Sequence, residues 1–232
     1  MSKQNELAQF ADVVTVNSGN VGIGVSPSDK LHVGGSAAFI RVDRSDGEAG
    51  ITLMYNGSNS TRSNIATQTN GDLAIETANT ERMRIDATGA VTMPHQPAFL
   101  VTPSGSQSNI TVGNEVTVVF GTEIFDQNAD FASNQFTAPV TGRYQLNLTL
   151  YINAIDSASD YYHIKIWTSN RIYSSVIDPG VLASDPVYWN IPIAVLADMD
   201  LGDIAKVTIK QNNGTAQTDI INETTFSGHL VA

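Results

Sequence analysis

Two stretches of the sequence combine aromatic side chains with carboxylates, a combination that suits carbohydrate binding. An aromatic ring can stack on a sugar ring, while carboxylates and amides hydrogen-bond the sugar hydroxyls. The two stretches, 156–162 and 178–189, supply these candidate binding residues: Asp160, Tyr161, Tyr162, Asp185, Tyr188 and Trp189. The alternative is that Tyr162, Trp167 and Trp189 are core or subunit-interface residues, because aromatic side chains are usually buried.

Acidic residues in these and other predicted loops provide oxygen ligands of the kind that calcium prefers. Asp156 and Asp160 are the candidate ligands for such an ion. No EF-hand spacing accompanies them, so solvated loop carboxylates are the alternative. Calcium is therefore the one cofactor that the sequence leaves open.

No arrangement of residues in the sequence is typical of an active site. Cysteine is absent, which excludes disulfides, thiolate zinc sites and a cysteine nucleophile. The histidines do not have metal-ligand spacing, and no Gly-x-Ser-x-Gly motif occurs. We therefore expect a protein that is not an enzyme.

The overall charge narrows the range of partners. The formal net charge is -11, and nucleic-acid binding needs a basic surface, so we expect no nucleic-acid partner. No apolar run approaches the roughly 20 residues of a membrane-spanning helix, and the first residues lack a signal-peptide pattern. We expect that the protein is synthesised in a host cytoplasm and does not insert into a membrane. The acidic balance also predicts uncharged or calcium-bridged contacts rather than attraction to anionic polymers.

A short cassette of a polar residue, glycine and alternating apolar positions occurs three times in the first hundred residues. The copies are SGNVGI at 18–23, NGDLAI at 70–75 and TGAVTM at 88–93. A turn residue with glycine, followed by alternation, predicts a tight turn that leads into a β-strand. Strands this short cannot bury an apolar face alone, so they must stack along the chain or against neighbouring chains.

The pattern changes character along the chain and predicts an all-β protein in three parts. Residues 1–12 form one short helix for attachment or trimerisation, and residues 13–96 form a β-rich trimeric stalk. Pro94 and Pro97 mark the boundary, because proline interrupts a strand ladder. Residues 97–232 contain longer alternating strands and predict an antiparallel sandwich of about eight to ten strands.

Three motifs in the last part resemble the globular head of the first complement component, within the tumour-necrosis-factor-like jelly-roll superfamily. They are NQFTAPVTGRY at 134–144, LGDIAKV at 201–207 and TFSGHL at 225–230. The resemblance implies a jelly-roll head and a homotrimer, with Gly228 allowing close approach near the trimer axis. The collagen-like neck of that family is absent, and residues 13–96 stand in its place.

The preceding part resembles bacteriophage tail-fibre and related virion proteins. The motifs are GNVGIG at 19–24 with SPSDKLHV at 26–33, and TERMRID at 80–86. This resemblance implies a virion fibre, without indicating whether it belongs to the tail or the head of the particle.

Together these features predict a homotrimeric phage fibre protein in the virion. The head would adhere to a host-surface receptor, a glycan or a protein, and the N-terminus would contact other virion proteins. Three linked copies of a weak site would raise avidity. Two alternatives remain: a structural head-fibre or decoration protein without a receptor, and a fibre-borne glycan depolymerase.

Overall fold

The computed structural model describes residues 14–17, 20–23, 31–33, 49–54 and 62–232. These residues form β-strands and turns together with one single-turn 3-10 helix, Pro179–Val181, which confirms the predicted all-β class. None of them forms a helix long and apolar enough to cross a bilayer. The helix predicted within residues 1–12 lies outside the described residues.

The chain folds as two compact units, the N-terminal unit Met1–Thr92 and the C-terminal unit Met93–Ala232. The described strands of the N-terminal unit are β1 (Val14–Asn17), β2 (Asn20–Ile23), β3 (Leu31–Val33), β4 (Ala49–Met54), β5 (Arg62–Thr67), β6 (Leu73–Thr77), β7 (Thr80–Ile85) and β8 (Val91–Thr92). Strands β1 to β3 form one sheet, in which β2 and β3 run parallel. Strands β4 to β8 form an antiparallel meander.

The second and third cassettes fold as predicted, each as a tight turn that leads into a strand. Gly71 precedes β6 with φ of 89°, and Gly89 precedes β8 with φ of 92°. Backbone hydrogen bonds close both turns, from Gly71 N to Gln68 O at 3.0 Å and from Gly89 N to Asp86 O at 2.9 Å. Side chains other than glycine rarely adopt this left-handed conformation, so the glycine of the cassette is a local requirement of the turn.

The TERMRID motif is joined to the second cassette by an ion-pair network. Arg84 donates to Asp72 at 2.6 Å and also pairs with Glu81. Asp72 is buried, and its carboxylate also accepts from the Ala87 backbone N–H at 3.0 Å. The hydrogen bond from Arg84 lowers the pKa of Asp72, so the carboxylate stays ionised and ties β6 to the segment after β7.

The C-terminal unit is a sandwich of two antiparallel sheets. Its strands are β9 (Ala98–Thr102), β10 (Val116–Thr117), β11 (Thr122–Asp126), β12 (Phe131–Ala132), β13 (Gln135–Thr137), β14 (Gly142–Asn153), β15 (Tyr161–Thr168), β16 (Ile172–Ile177), β17 (Tyr188–Met199), β18 (Ile204–Asn212), β19 (Asp219–Ile220) and β20 (Thr225–Leu230). The first sheet has the order β11-β9-β20-β14-β17, with β19 beside β14. The second has the order β12-β13-β18-β15-β16, with β10 beside β18. The chain crosses repeatedly between the sheets, and this strand order is the predicted jelly roll.

Alternation along the long strands builds the core between the sheets. In β14 every second side chain is buried, from Tyr144 to Ile152, and in β15 the inward residues run from Tyr162 to Ile166. Five phenylalanine rings pack at one end with centroid separations from 4.8 to 6.4 Å: Phe99, Phe120, Phe131, Phe136 and Phe226. A period of two places these residues on one face of each strand, and burial of that face drives the two sheets together.

Gly228 faces this core, while its predicted position near a trimer axis stays a prediction. A Cβ atom at this position would lie 2.7 Å from Phe99 Cε1 and 2.8 Å from Leu146 Cδ2. The close approach that glycine allows is therefore between β20 and the core of its own chain.

Candidate functional site

The two stretches predicted to bind carbohydrate meet at one end of the sandwich. Residues 154–157 follow β14 and bond to the segment that precedes β17. Ala154 N donates to Val187 O at 3.0 Å, and Ile155 N donates to Pro186 O at 3.1 Å. The fold therefore brings together two parts of the chain that the sequence only suggested as separate candidates.

Asp185 joins several segments at this end of the sandwich through hydrogen bonds. Its carboxylate accepts from Ser157 N at 2.9 Å, from Ser157 Oγ at 2.6 Å and from Gln217 Nε2 at 2.9 Å. These hydrogen bonds lower the pKa of Asp185 to about 2, and the bond from the Ser157 hydroxyl has the largest effect. The side chain is consequently ionised throughout the physiological range.

A cavity of about 450 Å³ lies beside Asp185, and polar groups that could bond sugar hydroxyls line it. The lining residues are Asn153, Ala154, Asp185, Pro186, Val187, Gln217 and Asp219. None of these described lining residues is aromatic, so the cavity supplies hydrogen-bonding groups without a ring for stacking.

The predicted aromatic residues lie apart from this cavity lining. Tyr162 is fully buried in the core, where its hydroxyl accepts from Asp156 N at 3.0 Å and bonds Thr218 Oγ1 at 2.6 Å. Trp189 is half-buried and packs against the core, and Tyr161 is half-buried at the start of β15. Tyr188 is 69% exposed at the start of β17.

The two candidate calcium ligands have separate hydrogen-bonding roles. Asp156 is buried, and its carboxylate accepts from the backbone N–H groups of Ala158, at 2.8 Å, and Thr215. Asp160 is exposed and accepts from the Asn212 side-chain amide at 2.9 Å. Across the described ranges, no group of three or more histidine, aspartate or glutamate side chains is placed to hold a metal ion. Calcium at these two residues thus remains a prediction without a third acidic ligand.

A second cavity, of about 440 Å³, lies at the hairpin between β15 and β16 and was missed at the sequence level. Its lining residues are Trp167, Thr168, Ser169, Asn170, Arg171, Ile172, Ile204 and Lys206. Trp167 is half-buried on the outer face of the second sheet, not in the core. Its Nε1 donates to Thr208 Oγ1 at 2.9 Å, which fixes the orientation of the indole.

The lysines of the C-terminal unit, Lys165, Lys206 and Lys210, all lie on this outer face. In the strand register Trp167 is opposite Lys206, and His163 is opposite Lys210. Lys165 Nζ lies 5.3 Å from the centroid of the Trp167 ring, a cation–π distance. The available signal was the alternation of His163, Lys165 and Trp167 with inward isoleucines, because it places these three side chains on one face.

Two acids near this face are paired with cations. Glu115 accepts from Lys165 and, at 2.7 Å, from Thr208 Oγ1. Burial acts to raise the pKa of Glu115, but these hydrogen bonds outweigh it and the pKa is lowered. Asp198 accepts two hydrogen bonds of 2.9 Å from Arg171, which lower the pKa of Asp198 to about 2.

The other groups on this face set its net charge. Burial, followed by the neighbouring Lys165, lowers the pKa of His163, so the imidazole is neutral at neutral pH. Within the described part of the chain, Lys206 and Lys210 form no salt bridge. The face therefore carries a local positive charge on a chain whose formal net charge is -11.

Comparisons with known proteins yield weak structural likeness alone. No protein-family model matches the chain. No curated protein matches it either. Among solved structures, the chain is similar to the globular domain of the zebrafish complement 1qA protein, with 20% identity over 60% of this chain and 98% of that chain and a TM-score of 0.42. It is also similar to murine APRIL at pH 8.0, with 12% identity over 59% of this chain and 99% of that chain and a TM-score of 0.44. The jelly-roll assignment rests on the strand order of the chain itself.

Proposed function

We propose that this chain is a homotrimeric fibre protein of a bacteriophage virion whose C-terminal unit adheres to a glycan on the host surface. The observation that carries the proposal is a row of large apolar side chains across the meander of the N-terminal unit. The resemblance of its motifs to virion fibre proteins supplies the biological setting.

The row consists of directly paired residues on four neighbouring strands. Ile51 pairs with Ile65, Ile65 with Ile75, and Ile75 with Met83. Ile51 is 59% exposed and Ile65 is 49% exposed. Among the described residues of this unit, the buried hydrophobic side chains are Ala66 and Ala74. Within the described residues this apolar row is thus left partly exposed, and packing against further copies would remove it from water.

The outer face of the first sheet in the C-terminal unit supports self-association in the same way. One row across this face joins Phe125, Leu100, Ser227, Asn147 and Ala194 through consecutive strand pairs. Leu196, on the same face of β17, is 51% exposed. These side chains are uncharged, so a second copy could pack on them without desolvating an ion.

The ionised state of Asp185 does not suit this residue to act as the general acid of a glycosidase. A glycosidase needs one carboxyl group that is protonated at working pH and acts as general acid. The cavity beside Asp185 contains a second carboxylate, Asp219, but the pKa of about 2 keeps Asp185 ionised. Asp185 is better suited to accept hydrogen bonds from sugar hydroxyls than to protonate a glycosidic oxygen.

Mass measurement and cell binding of the full-length protein together test this proposal. Light scattering after size-exclusion chromatography should give the mass of three chains. Fluorescently labelled protein should bind susceptible cells saturably, and an excess of unlabelled protein should displace it. A monomeric mass would contradict the trimer. Binding to purified capsids with none to any susceptible host would instead support a structural virion protein.

A further inference from the structure

We propose that the Trp167 cavity, at the β15–β16 hairpin, binds a carboxylate-bearing sugar unit of the hexuronic acid type. This inference rests on the proposed glycan adhesion and names its ligand class. The face of the second sheet that carries Trp167 and the three lysines is called the lysine face below.

The cavity has the size and the walls of a site for one or two sugar units. Its volume of about 440 Å³ lies within the usual range of small-ligand pockets, roughly 300 to 1,000 Å³. Trp167 provides a fixed indole, and Ile172 and Ile204 provide apolar walls. A pyranose ring presents a face of C–H groups that packs on such surfaces, so this cavity offers the stacking that the one beside Asp185 lacks.

The polar part of the lining is held in place by internal hydrogen bonds. Thr168 Oγ1 accepts from Arg171 N at 3.0 Å, and Ser169 Oγ accepts from Ile204 N at 3.0 Å. Asn170 Nδ2 donates to Asp198 O at 3.1 Å. A hydroxyl has one donor and two acceptor positions, so Ser169 keeps bonding capacity for a sugar hydroxyl.

The charge in the cavity favours a single anionic group. Arg171 and Asp198 both lie at this end and neutralise each other through two hydrogen bonds. Lys206 lines the cavity without a salt bridge in the described part of the chain, and it leaves one positive charge there. An ammonium group attracts a carboxylate as a point charge and forms a charge-assisted hydrogen bond with it.

The acid at the far end of β15 does not cancel this local charge. Asp160 precedes β15 and Thr168 ends it, so they are separated by about 25 Å at roughly 3.3 Å per residue. The Debye length at physiological ionic strength is about 8 Å, so acids at the far end are screened from the cavity. Asp203 is nearer, immediately before Ile204, and its carboxylate accepts from Asp200 N at 2.8 Å.

Isothermal titration calorimetry on the full-length protein at physiological salt tests the inference. The probes are a galacturonic acid oligosaccharide, neutral dextran and dextran sulfate. We expect the galacturonic acid oligosaccharide to bind more tightly than either of the others. Lys206→Gln should weaken that binding about tenfold, because a charge-assisted hydrogen bond is lost.

Matched variants distinguish a specific binding site in the Trp167 cavity from non-specific attraction to the lysine face. Lys210→Gln removes the same charge from the same face, outside the cavity lining, and should change the affinity less than about twofold, because Lys210 does not contact the bound sugar. Trp167→Phe should retain most of the binding, and Trp167→Ala should lose it. Circular dichroism melts of each variant identify any loss that is due to unfolding.

Several outcomes would overturn the inference. Equal losses in Lys206→Gln and Lys210→Gln would show attraction to the whole lysine face. Equal or tighter binding of dextran sulfate would show an anion site that does not select a carboxylate sugar. Absence of galacturonate binding in a protein that still binds host cells would refute this ligand while leaving the proposed adhesion intact.

Discussion

The two outer faces of the C-terminal sandwich enclose one core and yet differ in chemistry. The first sheet presents mainly uncharged residues such as Leu100, Asn147 and Leu196, with the charged Arg143 and Asp198 at one end, whereas the second presents the lysine face with Trp167. Inward positions must be apolar for the sheets to pack, but outward positions are free of that demand. The composition of an outward face therefore reflects what the face contacts: here we propose another subunit on one side and a ligand on the other.

The same comparison shows that net charge is an average over regions of different local charge. A formal charge of -11 predicted that anionic polymers would be disfavoured. That average combines regions lying further apart than the screening distance in physiological salt. The lysine face is a local exception, created by the neighbouring strands β15 and β18.

The largest expected effect comes from a substitution in the hydrophobic core that lies between the two sheets. Phe226→Ala removes a fully buried ring that packs 5.2 Å from Phe99 and 5.8 Å from Phe120, centroid to centroid. It should lower the free energy of unfolding by about 3 to 5 kcal/mol. Denaturant titration measures this, and ligand binding and subunit packing should weaken together.

Val187→Ala is the control for that core substitution. Val187 is a large exposed side chain, and its truncation should cost less than about 0.5 kcal/mol. Similar losses in both variants would mean that Phe226 does not lie in the shared core.

The next effect should appear only at the outer face of the first sheet. Leu196→Lys adds a charge to the proposed subunit interface, and the proposed trimer should dissociate at a lower urea concentration, because a buried, unpaired ammonium is costly. Sedimentation velocity across a urea series gives the midpoint of dissociation.

Val176→Lys is the matched control on the second sheet. Val176 is exposed and lies on the lysine face, opposite His163. If both variants lower the midpoint equally, the first sheet is not distinguished as an interface.

A smaller effect should sharpen the description of the lysine face. Thr208→Val removes the oxygen that accepts from Trp167 Nε1 at 2.9 Å and donates to Glu115 at 2.7 Å. The expected loss is about 1 to 2 kcal/mol, measured by thermal or chemical unfolding. Thr117→Val, directly opposite in the strand register and exposed, should cost much less. Equal costs would remove the argument that the indole is fixed.

The smallest expected effect on stability comes from Asp185, which lies at the end of the sandwich and on neither outer face. Its folded pKa of about 2 lies below an ordinary aspartate pKa of about 3.9, so its carboxylate stabilises the fold fully above pH 4. That contribution should disappear as pH falls from about 4 to about 2. Thermal melting of wild type and Asp185→Asn should therefore differ at pH 7 and converge near pH 2.

Glu223→Gln, a change at an exposed loop carboxylate, is the control for the pH series and should follow wild type throughout. A constant difference between wild type and Asp185→Asn at every pH would contradict the ionised role of Asp185.

Much of the fold could be predicted from local patterns. Alternation located the long strands from Tyr144 to Ile152 and from Tyr162 to Trp167, which the structure contains within β14 and β15. The cassette glycines Gly71 and Gly89 adopt positive φ as the turn pattern requires. These features depend on a few neighbouring residues, so they are encoded within a short stretch of sequence.

The candidate site was harder to predict from the sequence than the strands, and Tyr162 and Trp167 show why. The sequence grouped Tyr162 with the binding loops and offered the core as an alternative for both residues. The structure buries Tyr162 and places Trp167 on the outer face of the sheet. The polar residues His163 and Lys165, which lie between them, could have indicated which strand positions face outward. Alternation assigns opposite faces to these two rings, and the burial of Ile164 and Ile166 decides which face is inside.

The sequence by itself determined the all-β class, the turns, the period-two faces and the absence of cysteine chemistry, because these follow from residue type and near neighbours. Only the tertiary structure placed Lys206 opposite Trp167, Asp185 beside Ser157, and Gly228 against Phe99. Each of these contacts joins residues far apart in the chain. Strand register and sheet packing fix such contacts, since the free energy of burying the whole core selects one alignment among many.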